Sequence, residues 1–259
     1  GMDGYSWGPF GFPLPDGATV HTLTFVNGRG VAATARGVYV KDNSLWVLAT
    51  RGLPARTGTL APIATTGLAC FDGTLFVGIR EDPNFYTGVR IYRSTDRGEN
   101  WTASAAGFPP PSAPCSDPTV FAVKDGIIFA GTFEQGLFAS RDGGRSWALV
   151  KALGSRERIC SLMVSGGHLY VGTAWQGLLR SASGLDGFVE LQQNAAHGTR
   201  QLTEVRAMAS TPNGRVIAYF GQNVYFSDNV GDAWTRYSNG LPRMANGEGP
   251  EFDHLATNG

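Results

Sequence analysis

The sequence predicts an all-β chain organised as a β-propeller of four-stranded antiparallel blades, and three observations predict it. One octapeptide recurs on a fixed skeleton: "STDRGENW" (94–101) and "SRDGGRSW" (140–147) both read Ser, any residue, Asp, any residue, Gly, two residues, Trp. The stretches between alternate apolar and polar residues and break at Gly-containing dipeptides, the pattern of short strands joined by hairpin turns. Composition agrees, because 36 Gly, 14 Pro and 15 Phe with 16% charged residues leave little material for helices.

Self-similarity at a regular spacing marks a repeat architecture. "SDNVGDAW" (227–234) is a further copy with Asn229 in place of Asp, and "SASGLDGF" (181–188) is a worn copy ending in Phe188. "VKDNSLW" ends at Trp46 and keeps the Asp and Trp around a shortened middle. The five anchors, Trp46, Trp101, Trp147, Phe188 and Trp234, are 55, 46, 41 and 46 residues apart. A second signal holds the register: Trp46, Trp101 and Trp234 are each followed by a Pro eight residues later, in "VLATRGLP", "TASAAGFP" and "TRYSNGLP".

The repeats cover about residues 18–50, 63–105, 118–151, 158–192 and 204–238. The first splits as "HTLTFVNG", "RGVAATAR", "GVYVKDN", "SLWVLAT", and the third as "TVFAVKDG", "IIFAGTFEQ", "GLFASRDGG", "RSWALVK". Four short antiparallel strands per unit of this length is a propeller blade, which must stack on neighbours to bury its apolar surface. A single domain over 1–259 with five blades is therefore expected, six being the alternative. "YSWGPFGFP" near the start resembles a last strand and 243–259 a first strand. These ends are expected to close the ring or to be remnants of a sixth blade.

Within the octapeptide each residue type has a turn role. Asp96 and Asp142 can accept hydrogen bonds from turn N–H groups, and Asn229 keeps that acceptor oxygen without the charge. Gly98, Gly144 and Gly231 supply a positive φ. Trp101, Trp147 and Trp234 are expected to wedge between sheets, each with an indole N–H to place on a carbonyl. Ser94, Ser140 and Ser227 open the motif. A catalytic carboxylate would not tolerate the change to Asn229, so the octapeptide is read as architecture.

These residues resemble the Asp-box, or bacterial neuraminidase repeat, known from sialidases, sortilin-type receptors, some endoglucanases and photosystem II assembly factors. The stretch 131–147, "GTFEQGLFASRDGGRSW", is similar to the repeat of the assembly factors, which are binding proteins. The resemblance implies a propeller whose Asp-boxes lie between third and fourth strands, and it leans to a secreted or periplasmic protein. It does not carry sialidase catalysis: "GPFGFP" (8–13) has the aromatic and the proline of the early sialidase motif but no arginine, and Arg-Ile-Pro is absent.

Function is expected on the opposite rim, where the turns joining second to third strands meet the blade-to-blade segments. The longest such loop, "IREDPNFYTG" (79–88), brings Arg80, Glu81, Asp82, Phe85 and Tyr86 together, a set able to stack on a sugar and bond its hydroxyls. The equivalent short loops place Gln135, Gln176 and Gln222 at matching positions beside Trp175, as a polar ring or as a shared turn preference. Blade-to-blade segments add Arg156, Glu157 and Arg158, whose ordinary role is a solvated salt-bridge cluster, and then His197, Arg200 and Glu204. Two loop carboxylates, such as Glu81 or Asp82 with Glu157 or Glu204, would suffice for glycoside hydrolysis, though no spacing selects a pair.

Zero formal net charge gives no field for nucleic acid or anionic lipid. No run is long and apolar enough for a transmembrane helix, and the first ten residues show no basic-then-apolar leader. Cys70, Cys115 and Cys160 lack metal or disulfide spacing, so no metal and no cofactor is expected. The resulting expectation is a monomeric, non-catalytic propeller binding a glycan or a protein. Its alternative is a sialidase-like or endoglucanase-like glycoside hydrolase with an unrecognised carboxylate pair.

Overall fold

The structure, a computed structural model, describes residues 14, 19–43, 45–55, 62–79, 91–108, 118–154, 157–191, 204–220 and 223–237. The fold class is all-β, of β-propeller type, with five four-stranded antiparallel sheets among the described residues. The chain forms two compact units, Gly1–Ala105 and Ala106–Gly259. The segments expected to close the ring, 1–13 and 243–259, lie outside the described residues.

The first unit holds two blades. Blade 1 comprises β1 (Val20–Val26), β2 (Arg29–Thr34), β3 (Gly37–Asp42) and β4 (Leu45–Leu48); blade 2 comprises β5 (Thr65–Phe71), β6 (Thr74–Ile79), β7 (Ile91–Ser94) and β8 (Thr102–Ala103). The second unit holds three. Blade 3 is β9 (Pro118–Lys124), β10 (Ile127–Thr132), β11 (Leu137–Ser140) and β12 (Ala148–Lys151). Blade 4 is β13 (Ile159–Ser165), β14 (His168–Thr173), β15 (Leu178–Ser181) and β16 (Val189–Glu190). Blade 5 is β17 (Val205–Ser210), β18 (Val216–Phe220), β19 (Asn223–Ser227) and β20 (Thr235–Tyr237). Each blade is a meander in strand order.

Directly opposed residues in antiparallel strands share a face, so one side of a blade collects a continuous apolar row. In blade 1, Val31 pairs Val40 and Ala33 pairs Val38, and this row packs with Leu75, Val77, Ile79 and Trp101 of blade 2. In the second unit Phe129, Leu137 and Ala139 of blade 3 meet Ile159, Leu169, Val171 and Leu179 of blade 4. Tyr170, Leu178 and Leu191 of blade 4 meet Val205, Val216, Ala218 and Phe220 of blade 5. These cores lie between blades, and blade 4 is buried on both faces, Leu169 and Val171 toward blade 3 and Tyr170 toward blade 5.

The octapeptides form the turns between third and fourth strands. Ser94 Oγ donates to Asp96 Oδ1 at 2.7 Å, and Gly98 N donates back to Ser94 Oγ at 2.9 Å. Asp96 in turn accepts from Asn100 N (2.9 Å) and Asn100 Nδ2 (2.7 Å). The second copy repeats this: Ser140 Oγ to Asp142 Oδ1, Gly144 N to Ser140 Oγ, and Ser146 N to Asp142 Oδ1, at 2.9, 2.8 and 2.9 Å. Asn229 keeps the pattern with its amide oxygen, accepting from Ser227 Oγ at 2.8 Å and Ala233 N at 2.9 Å, while Gly231 N donates to Ser227 Oγ at 2.8 Å.

Trp101 and Trp147 are 3% exposed, and Trp101 Nε1 donates to Gly98 O at 3.0 Å. Trp234 packs edge-on against Phe220 at 5.1 Å, but its buried Nε1 has no hydrogen-bond partner. Blade 1 departs from the expected copy. Its shortened "DNSL" turn leaves Trp46 inside β4, paired with Lys41, rather than ahead of the fourth strand.

The recurring Gly-Leu/Phe-Pro segment has a structural role the spacing alone does not reveal. Arg51 O accepts the backbone N–H of Trp101 at 3.0 Å, and Ala106 O accepts that of Trp147 at 2.8 Å. The following glycine must come close: a β-carbon on Gly52 would lie 1.9 Å from Trp101 O, and one on Gly107 2.0 Å from Trp147 O. Leu53 packs on the core that holds Trp101, and the Phe108 ring meets Trp147 edge-on at 5.9 Å. Each segment is a clasp over the next tryptophan along the chain.

Candidate functional site

The turns joining second to third strands in blades 1, 3 and 4, on the opposite rim from the octapeptides, share one internal device. A threonine closing the second strand donates its hydroxyl to the carbonyl of the glycine opening the third: Thr34 to Gly37, Thr132 to Gly136 and Thr173 to Gly177, at 2.9, 2.8 and 3.0 Å. The same hydroxyl accepts a tip N–H, from Arg36, Gln135 and Gln176 at 3.0, 3.2 and 3.0 Å. Gln135 and Gln176 therefore occupy equivalent backbone positions, and a shared turn accounts for their recurrence. Gln222 lies outside the described residues, as do Arg80, Glu81, Asp82, Phe85, Tyr86, Arg156, His197 and Arg200.

In the second unit the turns of blades 3 and 4 are joined by the segment between them. Glu157 is 3% exposed, and its carboxylate Oε1 accepts the backbone N–H of Trp175 at 2.8 Å. Its carbonyl accepts Glu134 N at 2.7 Å, and its own N–H donates to Gly154 O at 3.1 Å. One residue thus ties both turns. Glu157 does not belong to a solvated salt-bridge cluster, as the Arg-Glu-Arg run leads one to expect. Its charge is taken up by a backbone donor inside the fold, because the segment leaves it facing the blade 4 turn rather than an arginine.

Arg158 forms an ion pair. Its Nη2 lies 3.2 Å from Glu204 Oε1, and Arg206 Nε lies 3.0 Å from the same oxygen. The Arg158 guanidinium also sits 5.8 Å from the Phe133 ring centroid, within cation–π reach. Its carbonyl accepts Ala174 N at 2.9 Å, a second tie to the turn carrying Trp175.

Trp175 projects from this frame with 66% of its surface exposed. Gln176 Nε2 lies beside Gly154, 3.7 Å from where a β-carbon there would stand. Of the expected binding residues, the structure brings Arg158, Trp175 and Gln176 onto joined segments, with Gln135 on the neighbouring turn. Sequence reasoning missed Phe133, and it missed Glu157 as the tie beneath Trp175. Residues 157 and 175 face each other beyond the end of the β13–β14 pair, in which Ile159 lies opposite Thr173, so the bond depends on a strand register that composition does not reveal.

Burial raises the Cys160 thiol above its ordinary range, more than its bond to Arg158 O lowers it, so it is not primed as a nucleophile. Among the described residues no group of three or more His, Cys, Asp or Glu side chains is placed to hold a metal ion. No helix among them is long and apolar enough to cross a membrane.

No protein-family model and no curated protein sequence matches the chain. Solved structures do match in fold. The extracellular domain of BT4673 from B. thetaiotaomicron, described as a hybrid two-component system, aligns with a TM-score of 0.64 at 14% identity. That alignment takes in 92% of this chain but 29% of the other, so the chain spans less than a third of that protein's length. YCF48, solved bound to a D1 peptide, aligns with a TM-score of 0.61 at 16% identity over 86% of this chain and 70% of that one. A GH74 enzyme from Niastella koreensis aligns at 0.52 with 18% identity, over 85% of this chain and 45% of the enzyme. Similarity at this level is similarity of β-propeller fold.

Proposed function

We propose that the chain is a non-catalytic binding propeller of the Asp-box class, recognising a glycan or a protein partner on the rim opposite its Asp-box turns. The observation that carries this reading is Trp175, an exposed indole whose backbone is fixed by a buried carboxylate. A large aromatic face presented to solvent on a tied turn is preorganised for contact, so little ordering entropy opposes binding. YCF48, similar in fold, is a propeller solved with a peptide bound, which supports a binding role for such a scaffold.

The GH74 likeness gives the hydrolase alternative the same scaffold. Hydrolysis needs one carboxyl to give a proton and another to attack or to activate water. Glu157 is buried on the Trp175 N–H, and Glu204 is shared by two guanidinium groups, so both are committed to partners within the fold. That commitment favours binding over turnover.

The test is a hydrogen–deuterium exchange footprint with ligands selected from glycan and peptide arrays, alongside a panel of fluorogenic glycosides. Protection concentrated on 132–136, 157–158 and 173–177, without turnover of any glycoside, is the expected result. Protection confined to the Asp-box turns, or steady turnover, contradicts the proposal.

A further inference from the structure

Resting on the loop-rim reading above, we infer that the Trp175 platform takes a neutral carbohydrate, stacking one sugar ring on the indole. Four observations set the ligand's chemistry. The first is isolation. The other exposed large apolar side chains among the described residues of the second unit, Leu149, Val189 and Tyr237, sit on the fourth strands β12, β16 and β20. Protein interfaces cluster several apolar anchors within a sealing ring of contacts, and among the described residues of the second unit this rim offers one.

The second is charge. Arg158 and Arg206 converge on Glu204, and Glu157 is buried beneath the turn, so two cations balance two anions. Glu134, tied to Glu157 O through its own N–H, adds a further negative charge to the rim. These described groups carry three negative charges against two positive ones, which argues against acidic sugars and acidic peptides.

The third is an amide on the same turn as the indole. Gln176 follows Trp175 directly, with its backbone held by Thr173 Oγ1. An amide both donates and accepts, which matches hydroxyls that do the same. The fourth is rigidity. Ala174 N, Trp175 N and Gln176 N are each hydrogen-bonded, so three consecutive residues of the turn are fixed. The C–H bonds on a sugar's flat face carry partial positive charge and meet the electron-rich face of the ring.

The test is calorimetric titration of the full chain, as wild type and Trp175→Ala. The probes are neutral linear oligosaccharides (β-1,4-glucan, β-1,3-glucan, mannan and xylan), an oligogalacturonate as the anionic counterpart, and array-selected peptides. Because Trp175 is exposed, the variant should melt as wild type does, and Trp175→Phe serves as a second, ring-retaining variant. The expected result is binding of at least one neutral oligosaccharide with Kd of about 1 mM or tighter, weakened about tenfold or more in Trp175→Ala and less in Trp175→Phe. Failure of every neutral oligosaccharide, or preference for the galacturonate or a peptide with Trp175 still required, overturns the inference and leaves loop-rim recognition standing. Oligosaccharide binding that Trp175→Ala leaves unchanged overturns both.

Discussion

The backbone N–H of Trp101 is bonded to the carbonyl of Arg51, and the next residue, Gly52, leaves no room for a side chain against Trp101 O. The buried tryptophan of one motif is thereby fixed by the exit segment of the preceding blade. Burial of the indole and the backbone bond reinforce each other, since the clasp closes only when the ring is seated.

Gly52→Ala is therefore expected to cost more than about 2 kcal/mol, as backbone would have to shift to admit the β-carbon. Gly28→Ala is the control: its φ is also positive, at 78°, but nothing lies within 4 Å of the added carbon. It should lose only the strain of the turn, about 1 kcal/mol. Urea unfolding of both variants separates close approach from conformation. Equal losses would remove the clasp from the account.

Asp142→Ala removes an acceptor for the N–H groups of Arg145 and Ser146 and the hydroxyls of Ser140 and Ser146. A loss of about 1–3 kcal/mol follows from leaving turn donors without their partner. Asp142→Asn should cost much less, because Asn229 already does this work in blade 5. Chemical denaturation of the two variants checks the ordering.

Acid sensitivity follows from the same turns. The Ser146 hydroxyl and N–H, with Ser140 and the Arg145 N–H, hold the Asp142 carboxyl well below the usual range, against a modest opposing effect of burial. At Asp96 burial pushes the other way more strongly, but the bonds from Asn100, Ser94 and the Glu99 N–H together outweigh it and lower the value. A carboxyl depressed in the folded state stabilises fully above its unfolded pKa, near 4, and loses that contribution as pH falls toward the folded value. Melting temperature should drop steeply from about pH 4 to about pH 2 in the wild type, and less steeply in Asp142→Asn. Equal acid slopes for the two proteins would show that Asp142 carries no such linkage.

The octapeptide turns, the five blades and the interblade position of Trp101 were legible in the sequence, because each depends on residues that recur at a fixed place in the repeat. Ser94, Asp96 and Gly98 interact within five positions of chain, so their spacing encodes their geometry. Trp46 shows the limit of the pattern: deleting turn residues moved the anchor onto the strand itself. The rim was harder to read. Gln135 and Gln176 recur for a turn reason, while the Glu157 carboxylate reaches a donor 18 residues away, beyond the end of the β13–β14 pair. Composition marks such a glutamate as a surface residue, and only stacking shows that it is buried.

Glu157→Ala should free the Trp175 turn while leaving the blades folded. The expected signs are easier acrylamide quenching of Trp175 fluorescence and a stability loss of about 1–3 kcal/mol from the orphaned N–H. Glu157→Gln keeps an acceptor oxygen and should restore most of both. Quenching that does not change in Glu157→Ala would detach Glu157 from the positioning of the indole.

The division of labour between the two rims is tested most directly by a binding isotherm of Asp142→Ala with an array-selected ligand of the wild type, taken well below the variant's melting temperature. The account predicts unchanged affinity in a protein that melts earlier than the wild type. Lost affinity in a protein that melts normally would move recognition onto the octapeptide turn and contradict it.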